Sequence, residues 1–268
     1  MRELLDGPLM HRELRTALDL REARESALLA PVPDFDIAPE SGYAVQAALF
    51  GDGAVAAWKI GLTGSGIRAA MGAAEPAAGR LTADAIVRSP ATLPVDDDGE
   101  YYVEGELVIE IARDLPDAGR PYTKEEVATA IGAVHAGIEV VTSRFASSDL
   151  PLGLLLADNC MAHRLVIGNR IADGWEERFA THPALLAGPG DAAAQGCTSN
   201  VMGNPLIAVT WLANWLIRSG SALRAGQWVS SGTATGVTPV NAGDRIDFGL
   251  PGLGNAQVNF ISNEGGLG

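Results

Sequence analysis

Short apolar segments separated by turn residues fill the C-terminal part of this chain, and they constrain the fold most. The segments 227–230, 237–240, 244–250 and 256–261 each have the length of a β-strand and are bounded by Gly, Pro, Asn or Ser. The intervening helical patterns follow no regular strand–helix–strand rhythm, which argues against a doubly wound parallel sheet. We therefore predict an α+β fold with a mixed, mostly antiparallel β-sheet and flanking helices.

The N-terminal part has a different character. Residues 2–30 have an amphipathic helical pattern, which the prolines that follow would end, and 41–50 form a second helical segment. We expect an N-terminal helical segment over residues 1–50 and a larger domain over residues 51–268.

The sequence of the larger domain up to residue 220 contains both strand patterns and helix patterns. Strands are predicted over 55–62, 107–112, 137–142 and 165–167, and a loop around a short helix over 66–80. The capping-box pattern at Thr123 predicts a helix that runs to about Ala136, and the apolar spacing of 205–219 predicts another that ends at Gly220.

Charge and cysteine content exclude several classes of function. The formal net charge of −14 disfavours nucleic acid and anionic membranes, because both are bound by clustered Lys and Arg. The chain has no apolar stretch as long as a membrane span requires. Its two cysteines, Cys160 and Cys197, are better explained as reduced thiols than as a disulfide, so we expect a cytoplasmic protein.

Two closely spaced glutamates stand out in the segment 102–111. Strand alternation places Glu104 and Glu106 on one face and the apolar residues of the segment on the other. Their mutual repulsion could be relieved by water on an exposed face or by a bound cation on a buried one. The spacing alone favours the solvated face.

Two further charged residues lie in apolar segments. Glu139 is flanked by Ile138 and Val140, and a buried carboxylate needs a partner. That partner could be an arginine such as Arg144, or a hard cation such as Mg2+ or Mn2+ shared with the two other glutamates. Lys59, in an apolar run, could bind a substrate carboxylate or move protons, or could simply lie at the edge of a strand.

Other polar residues give weaker signals. Asp84 and the pair Asp158-Asn159 could serve an active site, although such residues occur more often in turns and caps. His135 and His163 show no metal-type spacing and are better explained as structural residues.

Taken together and in order, several of these segments resemble a known family. They are Trp58-Lys59-Ile60-Gly61-Leu62-Thr63, Glu104-Gly105-Glu106, Arg113-Asp114-Leu115-Pro116, Ile138-Glu139-Val140-Val141, Ala157-Asp158-Asn159, Gly203-Asn204-Pro205-Leu206 and Val240-Asn241-Ala242-Gly243-Asp244. The set resembles the 2-keto-4-pentenoate hydratase and 4-oxalocrotonate decarboxylase branch of the fumarylacetoacetate hydrolase superfamily. The similarity extends from about Tyr43 to Phe260.

This resemblance implies a fold and a set of site residues. The fold would be a rolled mixed β-sheet forming the catalytic domain. Glu104, Glu106 and Glu139 would hold Mg2+ or Mn2+, with Lys59 and Asp84 as catalytic residues. The substrate-binding residues would be Leu62, Asp158, Asn159 and Ser231. A homo-oligomer, which could associate with another enzyme of its pathway, is also implied.

The chain departs from the family pattern at one position near the substrate. Where relatives often have Asp-Asn-Ala-Ser, this chain has Asp158-Asn159-Cys160-Met161, so a thioether replaces a hydroxyl. In contrast, Ser231 preserves a hydroxyl where a threonine is usual.

The resemblance implies a hydratase that adds water to a 2-hydroxy-2,4-dienoate of the 2-keto-4-pentenoate type in aromatic catabolism. The alternative is a decarboxylase of 2-oxo-3-hexenedioate, which needs an extra cation for its second carboxylate. A hydrolase of acylpyruvates lacks support because no His–Glu pair is evident. The alternative that is not an enzyme is a non-catalytic partner subunit or a protein that binds a small acid. Met161, which replaces the usual serine, is the residue that supports this alternative.

Overall fold

The computed structural model describes residues 11–26, 28–51, 54–96, 99–188 and 193–263. Its helices are α1 (His11–Ser26), α2 (Pro39–Phe50), α3 (Ser65–Ala70), α4 (Lys124–Ala128), α5 (Leu152–Ala157) and α6 (Pro205–Arg218). Its first strands are β1 (Ala57–Gly61), β2 (Ala77–Leu81), β3 (Ile86–Arg88), β4 (Ala91–Val95), β5 (Tyr101–Ile111), β6 (Ile131–Thr142) and β7 (Ala162–Ala172). The remaining strands are β8 (Pro183–Ala187), β9 (Ala193–Cys197), β10 (Trp228–Ser230), β11 (Val237–Val240), β12 (Arg245–Leu250) and β13 (Gly254–Ser262).

The strands form two sheets. The larger has the order β2-β1-β10-β5-β6-β7-β3, with β11 also paired to β5, and the smaller has the order β4-β13-β12-β8-β9. Three pairings are parallel, namely β1 with β10, β3 with β7 and β4 with β13, and the others are antiparallel. The predicted mixed, mostly antiparallel architecture is therefore confirmed.

The main core lies between the two sheets. Strands β12 and β13 pack against β6 and β7, and the aromatic rings of Phe248 and Phe260 are buried between the sheets. Helix α6 contributes an apolar face to the same core, with Leu212 and Leu216 among its buried residues. Because β5 and β6 are the central long strands, the side chains on their other face have a rigid support.

Some predicted elements differ from the observed ones. The capping box at Thr123 is present, but the helix that it starts ends at Ala128 and the strand begins at Ile131, so the prediction of a helix to Ala136 is wrong. Pairing of 131–142 with β5 satisfies both backbones along a buried face, which outweighs the local helical preference. The loop predicted over 66–80 contains α3 as expected, but also the start of β2.

The N-terminal helices do not pack as a separate unit. Leu20 of α1 and Val45 of α2 share an apolar cluster with Phe145 and Leu154, which lie much further along the chain. The first part of the predicted helix 2–30 lies outside the described residues, and α1 ends at Ser26. No helix in the described part of the chain combines the length and apolarity needed to cross a bilayer.

Candidate active site

The antiparallel pairing of β5 with β6 brings the three glutamates together. Glu104 lies directly opposite Glu139 in the register, and Glu106 lies opposite Gly137. Residues paired in this way have side chains on the same face of the sheet. One carboxylate oxygen from each glutamate lies within 4.8 Å of the others. Glu106 and Glu139 are fully buried and Glu104 is half-buried, so the solvated-face interpretation is wrong for this strand.

Lys59 is the cation nearest to this cluster. Its Nζ atom lies 3.2 Å from Oε1 of Glu139, and both side chains are buried. Burial alone would lower the pKa of Lys59, but Glu139 and then Glu104 outweigh it and raise that pKa above its ordinary value. Lys59 is therefore held as an ammonium. Arg144, the partner considered for Glu139 from the sequence, pairs with Asp158 instead.

One lysine leaves the three carboxylates, two of which are fully buried, short of positive charge and of hydrogen-bond donors. Oε2 of Glu106 accepts hydrogen bonds from the Ser230 hydroxyl at 2.5 Å and the Gly232 amide at 2.8 Å, but its Oε1 has no donor among the described residues. In the described part of the chain, Oε2 of Glu139 also lacks a donor, and its Oε1 has only the nearby ammonium. Buried carboxylate oxygens without partners are costly, and a hard divalent cation would satisfy all of them.

The pKa values of the carboxyl groups reflect the same crowding. Burial, followed by the charge of Glu139, raises the pKa of Glu104 to about 7. Burial and the two neighbouring glutamates raise the pKa of Glu106 well above its usual range. Burial raises the pKa of Glu139 as well, in spite of Lys59. Without a metal, burial and mutual repulsion therefore favour the protonated forms of these carboxyl groups.

The glycine between the two glutamates of β5 has a packing role. A Cβ atom on Gly105 would lie 2.2 Å from Cδ2 of Phe248, which belongs to β12 of the smaller sheet. Only glycine allows the two sheets to approach this closely. The close approach fixes the part of β5 that carries Glu104 and Glu106.

A cavity of about 610 Å³ opens next to the carboxylates. Lys59 and Glu104 line it, together with Thr63, Tyr102 and Asp149. Most of its remaining lining is apolar, from Leu62, Ile67, Met71, Val141, Leu150, Leu155, Cys160, Met161 and Val237. We call this space the Lys59 cavity. It places an apolar chamber beside a cluster of charged groups.

Comparison with known proteins places this arrangement in a family. A model of the fumarylacetoacetate (FAA) hydrolase C-terminal family matches residues 64–261. The chain belongs to this family. The match includes all three glutamates and the strands that carry them, and Lys59 lies just before it.

Relatives within the fumarylacetoacetate hydrolase family support the branch indicated by the sequence. A 2-keto-4-pentenoate hydratase of Paraburkholderia xenovorans is 31% identical over 206 residues, which cover 77% of this chain and 76% of the relative. The TodF product hydratase of Pseudomonas putida is 30% identical over 259 residues, which cover 92% and 95%. The structure of 4-oxalocrotonate decarboxylase from P. putida G7, complexed with magnesium and adipate, has a TM-score of 0.82 and 25% identity over 93% of this chain and 97% of that one.

Two of the other predicted site residues differ in their relation to the Lys59 cavity. Leu62 lines it, with a left-handed backbone at φ 55°. Asp84 lies in the turn 83–85 and lines a separate cavity beside Arg24 and Arg164. The structure therefore does not bring Asp84 to the carboxylates, and a proton-transfer role for it has no geometric support here.

The three remaining predicted residues are buried around the site. Asp158 binds Arg144, and the side chain of Asn159 binds the backbone of Arg80, so neither lines the Lys59 cavity. Ser231 is fully buried, and its hydroxyl has no hydrogen-bond partner within the ranges that the structure describes. The sequence did not single out the neighbouring Ser230, whose hydroxyl binds Glu106. This contact depends on the pairing of β10 with β5, two strands far apart in the sequence, so local patterns did not indicate it.

Proposed function

We propose that this protein is a divalent-metal-dependent hydratase that adds water to a 2-hydroxy-2,4-dienoate and gives a 4-hydroxy-2-oxo acid, in the degradation of aromatic compounds. The observation that carries the proposal is the cluster of three carboxylates next to the ammonium of Lys59, at the wall of a largely apolar cavity. Relatives that are named hydratases and share about 30% of its residues support the same reaction class.

The residues fit Mg2+ or Mn2+ as the cofactor. Glu104, Glu106 and Glu139 would supply oxygen ligands, which these hard ions prefer, and no His or Cys joins the cluster in the described part of the chain. When bound, the ion supplies Lewis-acid stabilisation of negative charge on the substrate's C1 carboxylate and C2 oxygen.

The chain's own residues would position the substrate and stabilise charge. Lys59 remains protonated, so its ammonium attracts the carboxylate end of the substrate and holds that end near the glutamates. When water adds to C4 of the conjugated keto form, negative charge develops on the C2 oxygen, and the same ammonium stabilises it. The apolar lining excludes bulk water and thereby strengthens these charge interactions.

The cavity favours a substrate with a single carboxylate. Among the described residues that line it, Lys59 is the one cation, and no arginine is available for a second carboxylate. Asp149 also lines the cavity and would repel such a group. Decarboxylation of 2-oxo-3-hexenedioate, a dianion, is therefore the second candidate. The overall similarity to the 4-oxalocrotonate decarboxylase structure is the observation that favours it.

A direct comparison of the two substrates tests the proposal. With Mg2+ present, the purified protein should remove the ultraviolet absorbance of 2-hydroxypenta-2,4-dienoate and form 4-hydroxy-2-oxopentanoate. Release of CO2 from 2-oxo-3-hexenedioate, followed in parallel, should be much slower. Faster CO2 release than hydration would favour the decarboxylase, and metal binding without turnover of either acid would favour a non-catalytic binder.

The assembly and cellular location belong to the same proposal. We expect a homo-oligomer, which light scattering coupled to size-exclusion chromatography would show, and association with a pathway enzyme, which co-purification would show. The two cysteines, Cys160 and Cys197, are free thiols, which agrees with the cytoplasm as the expected compartment.

A further inference from the structure

Three successive residues beside the Lys59 cavity have a left-handed backbone. The φ angles are 57° at Asn159, 54° at Cys160 and 60° at Met161. This region is unfavourable for residues with a Cβ atom, and usually holds single residues and not runs. Such strain persists only where the surroundings impose it, and it concentrates at functional sites. We call residues 159–161 the left-handed turn.

Side-chain hydrogen bonds fix the turn at its start. Oδ1 of Asn159 accepts from the backbone N–H of Arg80 at 2.7 Å, and its Nδ2 donates to the carbonyl oxygen of Arg80 at 2.8 Å. The preceding residue, Asp158, accepts from the backbone N–H of Arg144 at 3.0 Å and from its Nε at 2.7 Å. Asp158 and Asn159 are both buried and are not among the residues that line the Lys59 cavity. They therefore hold the turn and do not contact the cavity.

The residues that follow form part of the cavity wall. Cys160 and Met161 both line the Lys59 cavity, and Cys160 packs near Leu62. Burial raises the pKa of the Cys160 thiol to about 12, so at neutral pH it is an uncharged, apolar part of this wall. The thioether of Met161 is likewise apolar and adapts its shape to an alkyl group.

The position of the turn is tied to the position of Lys59. A Cβ atom on Gly79 would lie 2.7 Å from the carbonyl oxygen of Asn159 and 2.9 Å from Cγ of Lys59. The left-handed turn, Gly79 and the Lys59 side chain are therefore in close contact, and no space is left for a side chain at position 79. This contact fixes the distance between the group that attracts the substrate's carboxylate and the wall that includes Met161.

We infer that the left-handed turn sets the length of the alkyl end of the substrate, with Met161 as the specificity-determining contact and Asn159 as the positioning residue that holds it. The inference rests on the proposed hydratase function. A substrate whose carboxylate end is held at Lys59 occupies the cavity that Met161 also lines, and the side chain of Met161 limits the space left for its alkyl end.

The test compares two substrates that differ by one methylene group, 2-hydroxypenta-2,4-dienoate and 2-hydroxyhexa-2,4-dienoate. The measured quantity is the ratio of their kcat/KM values, which is independent of the fraction of active enzyme. Met161→Ala should shift the ratio towards the longer substrate by at least about threefold, because one methylene in an apolar pocket is worth about tenfold or more. Asn159→Gly keeps the backbone conformation accessible but removes both hydrogen bonds, and should shift the ratio in the same direction.

Met202→Gly is the matched control. Met202 also has a left-handed backbone, at φ 51°, but does not line the Lys59 cavity, so its substitution should leave the ratio unchanged. An unchanged ratio in Met161→Ala or in Asn159→Gly would overturn the inference, even if overall activity fell. Failure of the wild-type protein to hydrate either substrate would instead overturn the proposed function, and the inference with it.

Discussion

The close contact between Gly105 and Phe248 makes Gly105→Ala an informative substitution. The new Cβ atom would lie 2.2 Å from Cδ2 and 2.4 Å from Cε2 of the ring, whereas non-bonded carbon atoms normally approach to about 3.5 Å. One of the two must therefore move by about 1 Å. Phe248 is 1% exposed and enclosed by the main core, so it has no free space into which to rotate.

Overpacking of this kind costs about 1–3 kcal/mol, and we expect the upper part of this range because two ring atoms are contacted. The strain should also displace Glu104 and Glu106, which flank the substituted residue, and weaken the binding of Mg2+.

Urea unfolding followed by circular dichroism measures the stability effect, and calorimetric titration with Mg2+ measures the effect on the site. Gly249→Ala is the control, since a Cβ atom at that position meets nothing within 4 Å although the residue is next to Phe248 in β12. The control should retain the stability and metal affinity of the wild type. If Gly105→Ala is as stable as Gly249→Ala, the proposed close packing of the two sheets at this point is wrong.

Three further predictions concern buried charges. Lys59→Met leaves Glu139 without its cation and should lower the free energy of unfolding of the metal-free protein by about 3 kcal/mol, as measured by urea unfolding. Lys124→Met, at an exposed site, is the control and should leave that free energy unchanged. Because the folded-state pKa of Glu104 is raised from 4.5 to about 7, the metal-free folded protein binds more protons than the unfolded chain in that window. Its stability should therefore fall as pH rises from 4.5 to 7, and fall less in Glu104→Gln, as thermal melts in chelator would show. Burial, followed by the charge of Arg164, lowers the pKa of His163 from 6.5 to about 3. As pH falls from 6.5 to 3, the imidazole of His163 therefore takes up a proton in the unfolded chain but not in the folded protein. His163→Gln should lose less stability on acidification than the wild type, and equal losses would contradict this assignment.

Local patterns predicted the site residues that lie on regular strands. Alternation in β5 placed Glu104 and Glu106 on one face, as the structure shows, because strand geometry is decided by neighbouring residues. Glu139 and Lys59 were candidates because each is a charged residue in an apolar segment, and the family resemblance grouped them with this pair. The register between β5 and β6, which puts Glu104 opposite Glu139, depends on the pairing of distant segments, and local patterns do not specify it.

The pairing of segments that are distant in the sequence also explains which predictions were wrong or incomplete. The chain after Thr123 has a local helical preference, but the long pairing of β6 with β5 determines its structure from Ile131 onward. The Ser230 hydroxyl reaches Glu106 across neighbouring strands that are far apart in sequence, so no local signal identified this contact. The resemblance implies that Asp158 and Asn159 bind substrate, but neither lines the Lys59 cavity, and their partners, Arg144 and the backbone of Arg80, could be found only from the structure.

The dependence of hydration on the carboxylate cluster tests the central claim most directly. The measurement is the rate at which the absorbance of 2-hydroxypenta-2,4-dienoate disappears as Mg2+ is titrated into wild-type protein, Glu106→Gln and the control Glu110→Gln. Glu110 lies on the same strand but outside the cluster. We predict a saturable, Mg2+-dependent rate in the wild type and the control, and a loss of at least about 100-fold in Glu106→Gln. Turnover by Glu106→Gln at the wild-type rate, with the same dependence on Mg2+, would contradict the assignment of this cluster as the metal site of a hydratase.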